Sequence, residues 1–488
     1  MNLLVNFPLE MFGPREEFPF ARILSFGPAE GRLEGTTRFG FDLGFDGHAQ
    51  GFDELMAMLP ADFEPDALLF FWPDQEPVPE GLERAPFPVV GLLSDYNLSL
   101  PHVTGLWPYF DAMLCDRPGL PVLGRLGFGA VGPIGQYSFR PDVHRVHTDE
   151  GGAPLPRDLD LVFAGNLNPV VQRERAPWLD RLRALGDRAR VFVGQVPLGE
   201  DYGRLLSRAR LAFNRSIRGE CNLRAFEAPA CGALLLMERE NLEVRDFFEP
   251  DRECVLYGPD DLERKVLWLL AHDAEREAIA AAGHRRVQRH RLAAQWRDLP
   301  ARIAALDPAA RPVADPARLL HGRGRALAGN NRRPESLLRP LLQARRLAPG
   351  DAVLAQDLAV VLHGLFPHKG DGSAVVELLV QACERDPRLV PPRLNLLRLY
   401  DLAGMQAEAR WLRDATLRLL DQPLPLTAFD GLLAPLGYTE TSIAWAGAHC
   451  EALRTGSIDP LRRLCEELAR GGAQGAFNSS TRTQALVR

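Results

Sequence analysis

Through residues 1–145 short, nearly continuous apolar runs alternate with breaks rich in Pro, Gly and Asp: NLLVNF, DALLFF, FPVVGLLS and AMLCD. Apolar runs of this length without polar alternation fit strands covered on both faces, as in a parallel sheet. Pro or Asp flanks the later runs, so ligand-lining loops are expected at their ends. Residues 137–158, YSFRPDVHRVHTDEGGAPLPRD, turn polar and read as a hinge, with the linker itself over 146–157.

The pattern then restarts. LDLVFAGN, ARVFVGQV, RLAFNRS, ALLLME and ECVLYG read as strands, separated by amphipathic helices such as QRERAPWLDRLRAL and DYGRLLSRA. That alternation predicts a second doubly wound lobe over 158–300. Its last stretch, LAAQWRDLP, is expected to pack back on the first lobe with Trp296 as an anchor. From 305 to 470 every periodic segment is helical. Pro349 and Pro387 stand 38 residues apart in two similar segments, close to the tetratricopeptide period of about 34. FPHKGDGS reads as an insertion between them, Gly404 as the turn of the second unit, and 471–488 as a flexible tail. The predicted fold class is α/β: two Rossmann-like doubly wound lobes followed by an all-α helical-repeat domain.

Composition narrows the possibilities. The 488 residues suit about three domains of ~150 residues. A formal net charge of −7 excludes a general nucleic-acid binder, which needs an excess of cations. No apolar run reaches the ~18 residues of a membrane span, and the N-terminus lacks the basic region of a signal peptide. The seven cysteines form no CxxC pair and no zinc-like Cys/His spacing, which implies reduced thiols and a cytoplasmic protein.

The densest chemistry is RGECNLRAFEAPACG, residues 218–232. The preceding strand should end near Asn214, Gly219 should make a tight turn, and a helix should begin near Asn222 as its N-cap. A strand–turn–helix of this kind leaves unpaired backbone N–H groups at the positive end of the helix dipole, an anion site. Arg215, Arg218 and Arg224 add cations suited to phosphate. Glu227, deeper in the helix, suits ligand hydroxyl donors, and Glu220 lies one seven-residue step before it. The plainer reading makes Arg224 and Glu227 an i, i+3 salt bridge and Asn222 only a cap. On the first lobe, Asp95 and His102 in SDYNLSLPHV follow a strong strand and are candidate general bases. His48 is a third candidate, while His144 and His147 fall in the hinge, where exposure is expected. DLD at 158–160 mimics a metal-binding Asp-x-Asp, but it opens a strand, and no metal is assigned to it.

The stretch SRARLAFNRSIRGECNLRAFEAPACGALLLMERENLEVRDFFEPDRECVLYGPDDLERKVLWLL resembles the C-terminal half of a GT-B nucleotide-sugar glycosyltransferase. The resemblance is to the bacterial group 1 branch related to spore-maturation-type glycosyltransferases. It implies two lobes across a cleft, a nucleotide-diphosphate sugar donor on the second lobe, and a protein or glycan acceptor on the first. It also implies a metal-independent, cofactor-free reaction. By position, Glu227 matches the acid that contacts the donor ribose, and Asn222 and Arg224 fall beside the phosphates. Gly165 and Asn166 of FAGN approach the donor, and GQV (194–196) lies near the base. With Arg218 and Glu220 these residues form the implied donor set; Arg224 would also stabilise the departing diphosphate. Two features depart from the pattern. Six residues separate Glu220 from Glu227 where many relatives have seven, so a retaining outcome is not carried over. No glycine-rich loop follows the first strand, where MFGPREEF stands.

Two other readings stay open. One is a non-catalytic scaffold that works through its helical repeats, whose concave face would dock a protein partner or a second copy. The other, a nucleotide-binding epimerase or dehydrogenase, is disfavoured by the missing G-x-G-x-x-G.

Overall fold

The apolar runs of the first lobe become strands β1 (Asn2–Val5), β2 (Arg22–Gly27), β3 (Leu43–Gly44), β4 (Ala67–Phe71), β5 (Val89–Leu92), β6 (Ala112–Cys115) and β7 (Val131–Pro133). They form one parallel sheet in the order β3-β2-β1-β4-β5-β6-β7. This is a computed structural model describing residues 1–34, 37–330, 333–366 and 372–471. Strand side chains alternate between two cores. Leu4, Leu68 and Phe70 pack beneath helix Tyr96–Val103. Leu3, Val5, Leu69 and Phe71 pack on the opposite face against Leu292, Trp296 and Ile303. Burial on both faces explains why these strands carry no polar alternation.

The second lobe contains β8 (Leu159–Ala164), β9 (Val191–Gly194), β10 (Ala209–Phe213), β11 (Leu234–Glu238) and β12 (Val255–Tyr257). All are parallel, in the order β9-β8-β10-β11-β12. The chain then returns: helices Leu292–Gln295 and Leu299–Ala304 pack on the first lobe. The indole N–H of Trp296 donates to the carbonyl of Gly135 at 2.9 Å.

The hinge differs from its sequence reading. Phe139 belongs to the second lobe's core beside Phe226, and His144 and His147 are buried. The backbone N–H of His147 donates to Ser207 Oγ, which donates to the carbonyl of Arg145. The polar composition concealed apolar anchors at Phe139 and Val143, and the longest exposed run of the segment is 148–154.

The remaining chain folds as eight α-helices among the described residues, from Pro316–Asn330 to Asp459–Ala469. Successive helices pack on one another as far as Gln406–Leu420, which packs on Asp459–Ala469, and Gly404 sits in a turn between two of them. Pro316–Asn330 and Glu440–Thr455 both pack against Tyr96–Val103, so the helical domain is docked on the first lobe. Close backbone approach permits this contact: a Cβ on Gly105 would lie 2.5 Å from the Cα of Gly322. The buried pair Arg311–Asp111, 2.6 Å apart, fastens the connection. None of the described helices is long and apolar enough to cross a membrane. Residues 367–371 of the expected insertion and 472–488 of the expected tail lie outside the described residues.

Candidate functional site

The 218–232 stretch folds locally as its composition requires. β10 ends at Phe213, Gly219 turns the chain with φ 91°, and helix Leu223–Ala230 begins after Asn222. Asn222 holds the N-cap position in an extended conformation, but its side chain makes no cap hydrogen bond. Its Oδ1 accepts instead from Asn214 Nδ2 at 3.0 Å.

Arg224 is turned into the lobe. Its Nε and Nη2 donate to the carbonyl of Ala164 at 3.0 and 2.5 Å, and its Nη1 donates to Asn214 Oδ1 at 2.8 Å. The guanidinium also lies 4.3 Å from the centroid of Phe163. A carbonyl at the end of a buried strand needs a donor, and Arg224 is that donor for β8. Gly165 makes the arrangement possible, because a Cβ there would collide with Arg224 Nη2. Asn222 and Arg224, expected beside the phosphates, thus bond to groups within the lobe. Asn166 is exposed just beyond, its Oδ1 accepting from the N–H of Asn168 at 2.8 Å.

Glu227 is also buried. Its Oε2 accepts from the Tyr202 hydroxyl at 2.9 Å, and its Oε1 lies 3.5 Å from His144 Nε2. The backbone N–H of Arg140 donates to His144 Nδ1, so the ring proton sits on Nε2 and faces the carboxylate. Burial, reinforced by Arg140, pushes the imidazole down to about 3, which keeps it neutral. Sequence reading missed Tyr202 and His144. Their only signal was proximity in space to an acid 25 residues or more away in the chain.

Arg218 and Glu220 occupy the junction of the lobes. The Arg218 Nη2 donates to Asp116 Oδ2 at 2.9 Å and its Nη1 to Asn97 Oδ1 at 2.8 Å, with Asp95 Oδ1 at 3.3 Å. The guanidinium lies over the Tyr96 ring, 5.1 Å from its centroid. Burial, with Glu220 alongside, holds the Asp116 acid above the ordinary carboxylate range despite Arg218. Glu220 accepts from the backbone N–H of Arg218 at 2.8 Å. Arg218 is therefore bonded to three first-lobe side chains, and Asp95 stands in an ion pair. Asp116 follows β6 as Asp95 follows β5, and that repeated strand–Asp pattern was a readable signal.

His102 lies at a different interface. It is buried against the helical domain, with Nδ1 3.3 Å from the carbonyl of Arg325, and burial pushes it down to about 4. It sits on the face of Tyr96–Val103 that docks Pro316–Asn330, away from solvent. Asp74, in the loop after β4, was not recognised. Its Oδ2 accepts from Ser99 Oγ at 3.3 Å, and its Oδ1 is buried without a hydrogen-bond partner among the described residues. Burial, with Asp95 nearby, pushes it up to about 7. The DLD acids are ion-paired, Asp158 with Arg208 and Asp160 with Arg190 and Arg210. Among the described residues, no group of three or more His, Cys, Asp or Glu is placed to hold a metal ion.

A cavity of about 920 Å³ opens beside the Arg218 cluster. Tyr96, Asn97 and Arg117 of the first lobe form one wall, and Gln172, Arg175 and Ile217 of the second form another. Ile443 and Gly447 of helix Glu440–Thr455 form a third. Residues 154–300 match a family model described as Glycosyl transferase-like. The match covers the second lobe, including the whole 218–232 stretch. No curated protein matches the chain. Among solved structures, similarity extends to a sucrose-phosphate synthase from Thermosynechococcus elongatus, at 14% identity and a TM-score of 0.38, covering 62% of this chain and 99% of that one. An alpha-glucosyltransferase in complex with UDP-glucose and DNA containing an abasic site is similar at 11% identity and 0.43, covering 62% and 99%. An alpha,alpha-trehalose 6-phosphate synthase from Burkholderia multivorans is similar at 13% identity and 0.33, covering 62% and 97%.

Proposed function

We propose that the protein is a cytoplasmic glycosyltransferase of the GT-B, group 1 type that moves a sugar from a nucleotide-diphosphate donor to an acceptor hydroxyl or amide. One observation carries this reading. The glycosyltransferase-like match falls on the lobe whose Ile217 and Arg218, beyond the carboxyl end of β10, line the cavity shared with the first lobe. Open parallel sheets bind ligands outside the carboxyl ends of their strands.

In this reading the donor lies along Gly165, Asn166 and the start of Leu223–Ala230, with Glu227 accepting from its ribose hydroxyls. Glu220 holds the turn before the helix and Arg224 positions the end of β8, while Arg218 is the cation that meets the diphosphate. The two phosphate charges replace Asp95 and Asp116 around that guanidinium, which frees Asp95 to take the acceptor proton. Charge on the leaving group is then met by arginine and helix dipole, without a metal ion or other cofactor. The helical domain, read as tetratricopeptide-like, docks a protein partner or a second copy.

A thermal-shift screen with UDP, ADP, GDP and their sugars, paired with an assay for released nucleoside diphosphate, tests the reading. A bound donor at a hundredfold excess over its Kd stabilises by about 2.7 kcal/mol. If no nucleotide raises Tm and none is released, the proposal fails. One observation favours the non-catalytic scaffold: Arg218, Arg224 and Asn222 all bond to protein groups. Silence with every donor would support that reading.

A further inference from the structure

The cavity of about 920 Å³ has one wall that neither lobe supplies. That wall, helix Glu440–Thr455, lies outside the residues matched by the family model, which end at 300. Its inner side is fixed twice: Trp445 and Ala452 sit in the helical domain's core, and Leu453 joins the core of the first lobe. Glu440, Ala444, Gly447, Glu451 and Arg454 line the cavity instead. Steps of four, three, four and three residues put them on one stripe of the helix, which runs about 21 Å at 1.5 Å per residue. The cavity is thus a slot between the second lobe and the helical domain. Gly447 keeps it open. Glycine in a helix interior is unfavourable relative to alanine, yet a Cβ at 447 would meet no atom within 4 Å, so packing within the chain does not require the glycine. Ala444, one turn earlier, is also small and exposed.

The lining selects among elongated ligands. Val170, Val171, Ile217, Leu242 and Ile443 bring aliphatic side chains from both sides of the slot, and Leu242 is exposed. A sugar packs its C–H face on an open aromatic ring. Among the described residues of the lining Tyr96 is the one aromatic, and Arg218 already lies over its ring. Charge does not favour an ion. Arg218, Arg117 and Arg454 are paired with Asp116, Asp246 and Glu451. The lining charges without an ion pair among the described residues are two of each sign, Arg173 and Arg175 against Glu174 and Glu440. Two amides are more selective. Gln172 Oε1 of the second lobe is buried and accepts no hydrogen bond among the described residues. Asn97 of the first lobe accepts from Arg218 through its Oδ1 at 2.8 Å, which leaves its Nδ2 to donate. An acceptor on one wall and a donor on another match the N–H and C=O of a peptide unit. About six residues of extended chain, at ~3.3 Å each, span the stripe.

We infer that the slot holds an extended polypeptide segment with aliphatic side chains, so that the acceptor of the proposed transfer is a protein and helix Glu440–Thr455 selects it. The role as acceptor rests on the glycosyltransferase reading; peptide binding rests on the slot alone. In the transfer a hydroxyl or amide of the segment gives its proton to Asp95 and bonds to the sugar's anomeric carbon. The bond from that carbon to the diphosphate breaks, and the nucleoside diphosphate leaves with the electron pair. Asp95 is bonded to Arg218, which lines the slot, so both ends of the exchange meet at one junction.

The test is affinity-selection mass spectrometry on the full chain, run beside the nucleotide thermal-shift screen. The probes are end-blocked heptapeptides with Ser, Thr or Asn at the centre and Ala, Val, Leu, Asn or Gly elsewhere, with maltotriose and chitotriose as glycan probes. The expected result is retention of at least one peptide by the wild type, reduced at least tenfold in Ala444→Trp and in Gly447→Leu. Both variants should keep the wild-type Tm and the wild-type response to nucleotide. Given the donor that raises Tm, the retained peptide should gain the mass of one sugar at its central residue. Nucleotide binding with no peptide retained would overturn the inference and leave the transferase reading standing, as would retention of a glycan probe alone. Equal retention by wild type and both variants would also overturn it. So would loss of the nucleotide response in the variants, which would put the donor in the slot. Peptide retention lost in the variants, with no response to any nucleotide, would uphold the slot as a peptide site and overturn its role as acceptor site.

Discussion

Arg218 of the second lobe donates to Asp116 of the first across 2.9 Å, and both side chains are buried. The pair latches the lobes at the mouth of the cleft. Removing one member of a buried ion pair leaves an uncompensated charge, which costs about 3–5 kcal/mol. Arg218→Ala and Asp116→Ala are each expected to lose that much in urea denaturation. The double variant should lose clearly less than the sum of the two, because the stranded charge is gone. Simple additivity would show that the pair does not couple the lobes.

Gly165 and Arg224 make a second linked pair, this time within one lobe. Gly165→Ala would push Arg224 Nη2 off the carbonyl of Ala164. Overpacking of this kind costs about 1–3 kcal/mol. Arg224→Ala should cost a similar amount by leaving the Ala164 carbonyl and Asn214 without their donor. If Arg224 instead served mainly to hold phosphate, the unliganded variant would melt with the wild type and lose only nucleotide affinity. Melting curves with and without UDP separate the two outcomes.

What could be read from the sequence was whatever depends on neighbours along the chain. ALLFF is a strand because its five residues are buried on two faces, and Asn214, Gly219 and Asn222 mark strand end, turn and helix start as their types require. What could not be read was the partner each polar side chain finds in the fold. Arg224 looked free for phosphate because nothing local reveals a strand-end carbonyl 60 residues earlier. His102 looked like a loop base until Pro316–Asn330, two hundred residues later, covered it. His144 and His147 sat in a Gly- and Pro-rich segment, yet His144 packs on Tyr202 and His147 bonds to Ser207 and the Val143 carbonyl, which buries both. Asp74 was passed over because its effect comes from desolvation, which has no signature in the chain.

Asp74 makes stability depend on pH in an unusual direction. Its acid is pushed up to about 7 by burial and by Asp95, so between roughly pH 4 and 7 the folded state holds a proton that the unfolded chain has released. Stability is therefore greatest near pH 4 for this group and falls as pH rises through 7. Asp74→Asn removes the dependence. Between pH 5 and 8 the wild type should lose about 2.5 kcal/mol relative to the variant in urea denaturation. A constant difference between the two proteins over that range would show that Asp74 ionises normally.

Glu227 offers the sharpest test of the donor site. Its carboxylate already accepts from Tyr202 and faces the N–H of His144, so it is fixed in place before any ligand arrives. A fixed acceptor that gains ribose hydroxyls on binding is worth about 1.5–3 kcal/mol for charge-assisted bonds. Glu227→Gln keeps the shape and removes the charge. Its Kd for the cognate nucleoside diphosphate should rise at least about tenfold, equivalent to ~1.4 kcal/mol. The effect should fall on ribose-bearing ligands and leave affinity for inorganic pyrophosphate unchanged. Calorimetric titration with the nucleotide, its 2′,3′-dideoxy analogue and pyrophosphate distinguishes the cases. If the dideoxy analogue loses as much affinity as the parent nucleotide when Gln replaces Glu227, the carboxylate does not read the ribose, and its bonds to Tyr202 and His144 are its whole role.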